Sequence, residues 1–246
     1  MKKERLAVLY EIDRQANIIA LDFVKGKLIS ETIIKTIIEL YSSAQVERVL
    51  KDDHFEAAYH ATVTGEVEFL ISRILYHYSI KKNLEWKIYL RRQKDKVAPD
   101  IRIDIKNKTI SIIEIKARGS WIQPFLSKER YENDKIKLAN GHKFDPDEMI
   151  NNQRNQLAKY MKVFDLTKSE IFYLLPTLDG VHRLKYKSKL NDYFNYFGKT
   201  SQIPKENFIL LSTNMSLNLG CKPDLGNLQP TNHFESMVTR ITDSSQ

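Results

Sequence analysis

The chain has 246 residues, 42% of them hydrophobic and 28% charged, with a formal net charge of +8. That balance suits one large globular domain, or a core with an attached subdomain, and excludes an intrinsically disordered chain. A single cysteine, Cys221, excludes an intramolecular disulfide, a cysteine-rich zinc site and an iron–sulfur cluster, and the excess of Lys and Arg favours a polyanionic partner.

The opening "MKKERLAVLYEIDRQ" meets charged residues too early for a signal-peptide apolar region, and no apolar stretch reaches the length of a membrane span. A soluble, cytoplasmic protein without membrane association is expected. Residues 1 to about 60 form a helical N-terminal region. Within it "SETIIKTIIELY" places Ile33, Ile34, Ile37, Ile38 and Tyr41 on one stripe behind a Ser30 cap. A second amphipathic helix is predicted from about Gly65 to Tyr78, with Val67, Leu70, Ile71, Ile74 and Tyr78 at helical spacing.

Strands follow. "EWKIYLRR" alternates from Trp86 to Leu90, and "APDIRIDIKNKTISIIEIKAR" (98–118) reads as a hairpin closed near "KNK". Residues 117–150 are polar and irregular, an insertion leading to the helical "EMINNQRNQLAKYMKVF". The runs "SEIFYLLP" (169–176) and "NFILLST" (207–213) have strand length, and residues 217–246 form a tail. This order predicts an α/β sandwich around a mixed central sheet, with a core over residues 61–216 and an N-terminal helical extension.

The hairpin carries the chemistry. Side chains alternate along a strand, so Ile110, Ile112, Glu114 and Lys116 share one face while Ile113 and Ile115 share the other; on the first strand Asp100, Arg102 and Asp104 oppose Ile101, Ile103 and Ile105. Pairing of the strands brings Asp100 close to Glu114, with Lys116 one step along. Two carboxylates at the edge of an apolar sheet are costly without a counter-ion, and a divalent cation supplies one. Magnesium takes one or two protein carboxylates and leaves its other positions to water and phosphate. Asp100 and Glu114 match that habit, and the carbonyl of Ile115 offers a third oxygen. Such a cation acidifies a bound water and neutralises charge on a scissile phosphate, with Lys116 placed to hold or deprotonate the water and to stabilise the developing negative charge.

Pro99-Asp100, thirteen residues, then Glu114-Ile115-Lys116 on the next strand resembles the PD-(D/E)XK signature of restriction endonucleases, Holliday-junction resolvases and RecB-like nucleases. Pro146-Asp147 and Pro223-Asp224 are not followed by a Glu-x-Lys strand. The resemblance spans roughly residues 65–176 and implies the restriction endonuclease-like fold, DNA as substrate, and magnesium as cofactor, with manganese able to substitute. It also implies an acidic residue on the helix before the sheet. There Glu66 and Glu68 both qualify, and Glu68, with Ile71, Ile74 and Leu75 three, six and seven residues on, resembles the resolvase pattern better, as a further metal ligand. Gln156 and Tyr160 resemble the Gln-x-x-x-Tyr element of RecB-like nucleases, whose side chains lie one turn apart and face the site.

The expected function is a magnesium-dependent DNA endonuclease of restriction or defence type that hydrolyses phosphodiester bonds, with DNA as partner and a homodimer as a candidate assembly. Alternatives are a RecB-like exonuclease or DNA-repair nuclease, and a catalytically silent DNA-binding or scaffold protein with the same fold. The basic stretch "KKNLEWKIYLRRQKDK" and Arg183, Lys185 and Lys187 are candidate DNA-facing ridges, and Trp121 a candidate groove contact. His54, Asp53 and His60 present no complete ligand set.

Overall fold

A computed structural model describes residues 2–49, 64–116, 146–177, 201–214 and 225–244. Helices α1 (Lys2–Val24), α2 (Ser30–Val49) and α3 (Thr64–Lys81) precede three antiparallel strands, β1 (Lys87–Leu90), β2 (Ile101–Ile105) and β3 (Lys108–Ile115). Helix α4 (Pro146–Phe164) then leads to β4 (Ile171–Leu175), which pairs parallel with β3, and β5 (Phe208–Leu210) pairs parallel with β4. Helix α5 (His233–Asp243) follows. The result is an α/β protein built on one mixed five-stranded sheet in the order β1-β2-β3-β4-β5.

Apolar alternation explains the layering. Along β4, Phe172 and Leu174 join one core with Ile101, Ile103, Ile113, Ile115 and the apolar faces of α1, α2, α3 and α5. Ile171, Tyr173 and Leu175 join a second core with Ile112 and the inner face of α4. A sheet buried on both faces needs near-continuous apolar runs, and "IFYLL" and "FIL" supply them. No described helix is long and apolar enough to cross a membrane.

Local chemistry sets the turns. Lys106 and Asn107, at φ of 49° and 67°, form the two-residue turn between β2 and β3, the left-handed geometry that matches strand twist. Gly26, at φ of 80°, ends α1 and separates it from α2, so the N-terminal helical region is two described helices. Both pack into the same core as the sheet.

Three local expectations change. β3 carries a bulge opposite Ile103 and Asp104, whose partners are Ser111 and Thr109. The extra residue, Ile110, therefore packs with the core of α1–α3 and not with Ile112. The expected tail contains α5, whose Phe234, Met237, Val238 and Ile241 are buried.

The third change concerns the start of α2. Ser30 lies inside the helix and its hydroxyl does not cap it. Ile29 O accepts the first intrahelical bond, from Ile33 N at 2.9 Å. The cap comes from Glu235 on α5, whose Oε1 accepts Ile29 N at 2.6 Å and Ser30 N at 3.0 Å, while Oε2 accepts Ser30 Oγ at 2.9 Å. A carboxylate at a helix N-terminus meets both the unpaired amides and the positive end of the dipole.

Removing that carboxylate strands buried donors. Glu235→Ala should destabilise the fold by about 3 kcal/mol, since each unpaired buried group costs about 1–3 kcal/mol. A lower urea midpoint at unchanged slope is the expected result. A change below about 0.5 kcal/mol would show that water replaces the cap without loss.

Candidate active site

The two carboxylates are positioned by backbone amides. Regular pairing of β2 with β3 runs to Ile101 opposite Ile113. One residue further, Asp100 N donates to Glu114 Oε2 at 3.3 Å, and Ile115 N donates to Asp100 Oδ2 at 2.8 Å. Glu114 thus takes the amide of Asp100, and Asp100 the amide next to Glu114. Pro99, buried before Asp100, biases the chain toward extended geometry into this position through its fixed φ.

Glu114 is the hub. It is 4% exposed, and besides Asp100 N it accepts Gln156 Nε2 at 2.5 Å and Lys116 Nζ at 3.4 Å. Gln156 also donates to Tyr160 OH at 2.8 Å, one turn along α4. The Tyr160 phenol is pushed far up by burial, then by the charge of Glu114 and the hydrogen bond with it, so it stays neutral and can donate. Lys116 lies beyond β3, and its amide donates to Leu174 O at 2.8 Å, holding the residue on β4.

Asp100 is half-buried. Burial pushes its carboxyl up to about 7, and the charges of Glu114 and Glu68 add to the rise, while the Ile115 amide and Lys116 oppose it. Asp100 Oδ1 has no protein partner among the described residues.

Helix α3 turns Glu68 inward at 1% exposure and leaves Glu66 half-buried. Glu68 is close enough for its charge to act on Asp100, but its carboxylate is bound by arginine. Arg91 donates from an Nη to Glu68 Oε1 at 2.5 Å, and Arg91 Nε sits against Oε2 in an ion pair that is not aligned as a hydrogen bond. The structure therefore brings Asp100, Glu114, Lys116, Gln156 and Tyr160 into one connected group and links Glu68 to it through Arg91. Ile115 turns its side chain into the opposite core and contributes backbone alone.

Among the described residues no three His, Cys, Asp or Glu side chains form a ready cation cage. While Arg91 holds Glu68, the carboxylates left for a cation are Asp100 and Glu114, which fits magnesium's preference for one or two carboxylates. The raised affinity of Asp100 for a proton follows from burial and from the neighbouring charges of Glu114 and Glu68.

Sequence patterning did not single out Arg91, Gln153 or Tyr173. Arg91 reads as part of a DNA-facing ridge, yet its guanidinium turns to Glu68. Tyr173 pairs with Glu114 across β3 and β4 and accepts Gln153 Nε2 at 2.5 Å. Burial and then the charge of Glu114 push its phenol up. The available signal was a lone hydroxyl in "IFYLL" and a second glutamine one turn before Gln156. Trp121, Arg183, Lys185, Lys187 and the group Asp53, His54 and His60 lie outside the described residues.

No protein-family model matches the chain, and no curated protein or solved structure matches it.

The raised Asp100 has a signed consequence. Between the ordinary carboxylate range near pH 4 and about pH 7 the folded protein keeps a proton that the unfolded chain has released, so stability falls as pH rises through that window and levels off above it. Metal-free Asp100→Asn should melt several degrees above the wild type at pH 8 and close to it at pH 4. Magnesium should raise the wild-type melting temperature more at pH 8 than at pH 5.5, and leave the variant unmoved. An Asn variant less stable than wild type at pH 8 would show that the acid pair carries no such cost.

Proposed function

We propose that this chain is a divalent-cation-dependent deoxyribonuclease of the PD-(D/E)XK, restriction endonuclease-like class, cutting phosphodiester bonds within DNA. The observation that carries the proposal is that Glu114 accepts the Asp100 amide, Asp100 accepts the Ile115 amide, and Lys116 reaches Glu114. Three groups of the signature lie together at one end of the interior strands β2 and β3.

Asp100 and Glu114 would hold magnesium, with the Ile115 carbonyl as a further oxygen, and the bound ion would lower the charge on the phosphate and acidify water. The chain's own groups do the rest. Gln156 and Tyr160 fix the orientation of Glu114, because an amide and a neutral phenol donate but do not compete for its charge. Lys116 carries a positive charge at the site edge, 18% exposed, where a phosphate oxygen or an attacking water can reach it. A positive group placed in advance at developing negative charge is worth more there than in bulk water.

DNA is the polyanion that fits. Lys87, Arg92, Lys94 and Lys96 are exposed along β1 and the turn after it, and the net charge is +8. The turn is tight: Lys94 and Val97 exchange backbone bonds of 2.9 and 2.8 Å around Asp95 and Lys96, both left-handed. It places exposed Lys94, whose Nζ lies 5.6 Å from the centre of the Phe164 ring, and exposed Lys96 beside the strand that ends near the site. A single site cuts one strand at a time, so cutting both strands together would call for two copies of the chain.

The contact of Gln156 and Tyr160 with Glu114 also favours a second function, an end-dependent exonuclease of RecB-like type. Covalently closed circular DNA separates the two. With magnesium or manganese an endonuclease cuts closed circles, and the activity vanishes with chelator, whereas an exonuclease digests linear DNA and spares circles. Lys116→Ala should slow cleavage roughly 100-fold or more while binding and folding persist. Inertness of both substrates with every divalent cation would leave a DNA-binding protein without catalysis.

A further inference from the structure

Glu68 and Arg91 are unequal partners. The carboxylate is buried, its side chain 2% exposed, while the guanidinium that covers it is 57% exposed. A buried carboxylate is unstable without a counter-charge, but an exposed guanidinium loses little by returning to water. The partner that can leave is the arginine.

Arg91 is also built into the site. It follows the last residue of β1, and its amide donates to Asp100 O at 2.9 Å, continuing the ladder past Leu90 and Ile101. Its φ of 48° is left-handed, a conformation that side-chain-bearing residues rarely adopt and that concentrates at functional positions. The guanidinium also feels the charges of Asp100 and Glu114, after that of Glu68. One residue thus touches Asp100 through its backbone and Glu68 through its side chain.

We infer that Arg91 is a displaceable counter-cation: it neutralises Glu68 while no metal is bound, and gives that carboxylate up when a divalent cation enters beside Asp100 and Glu114. The inference rests on the metal site proposed above. It makes Arg91 a positioning residue that sets metal affinity. Occupancy is then a competition between one guanidinium and one dication for the same buried carboxylate. A merely structural ion pair would hold α3 to β1 and leave affinity untouched.

Manganese binding to the full chain, followed by electron paramagnetic resonance without DNA, tests this. Arg91→Gln should tighten manganese about tenfold, a change of about 1.4 kcal/mol. Glu68→Gln should weaken it, and Arg91→Gln in the Glu68→Gln background should give no further gain, because the carboxylate being competed for is gone. Arg91→Lys keeps the charge and loses the two-pronged grip, so it should give a smaller gain, and it serves if the Gln variant does not fold. A wild-type affinity in Arg91→Gln and Arg91→Lys, or an equal gain with and without Glu68, would overturn the displacement. Absence of any manganese binding that depends on Asp100 would overturn the metal site, and the displacement with it.

Discussion

The organisation of the acid pair at the end of β2 and β3 depends on the amides of Asp100 and Ile115. Where β2 and β3 stop pairing, the amides of Asp100 and Ile115 are taken by side-chain carboxylates. Buried amides must find acceptors, and here the acceptors are charged. The same bonds that satisfy the backbone force Asp100 and Glu114 together. Gln156, Lys116 and Tyr160 then gather around the more buried acid, and Asp100 keeps its proton to a higher pH. Strand geometry thus holds in place a charge arrangement that repels itself.

A second acid on the same hairpin shows the contrast. Asp104 is as buried as Glu114, but Arg102 Nε lies 3.1 Å from its Oδ1 and Thr109 Oγ1 donates to the same oxygen at 2.9 Å. Arg102 is in turn held over the Tyr89 ring at 4.2 Å and near Phe164 at 5.5 Å. This acid has its cation, its hydroxyl and an aromatic cover for the cation. Asp100, four residues earlier, has no side-chain ion pair among the described residues and accepts the Ile115 amide instead. Two acids of one hairpin are thereby held differently, Asp104 by a cation and a hydroxyl and Asp100 by a backbone amide.

Much of this geometry was legible because it is periodic. Alternating isoleucines located β2 and β3 and placed Asp100 beside Glu114; helical phase put Glu68 inward and Glu66 at the rim; four-residue spacing put Gln156 and Tyr160 on one face of α4. What periodicity missed was contact between distant residues or a break in the period itself. A one-residue bulge moved Ile110 to the other face. Arg91 looked like one more surface cation until the fold set it against a buried carboxylate 23 residues earlier. Glu235 sits in a segment that gives no local sign of a partner 205 residues away.

That last contact has a consequence for how the protein is made. A ribosome adds about 5–20 residues per second, so roughly 10–40 s separate the synthesis of Ser30 from that of Glu235. Through that interval the start of α2 has no carboxylate to cap it, although the whole hairpin and α4 have already emerged. The α5 face that completes the shared core is missing as well. A nascent chain can therefore display every acid of the site before the scaffold behind them has closed. Chains released early would carry the chemical groups on an unfinished core, open to proteases, and full-length synthesis becomes the step at which the acid pair acquires its rigid backing.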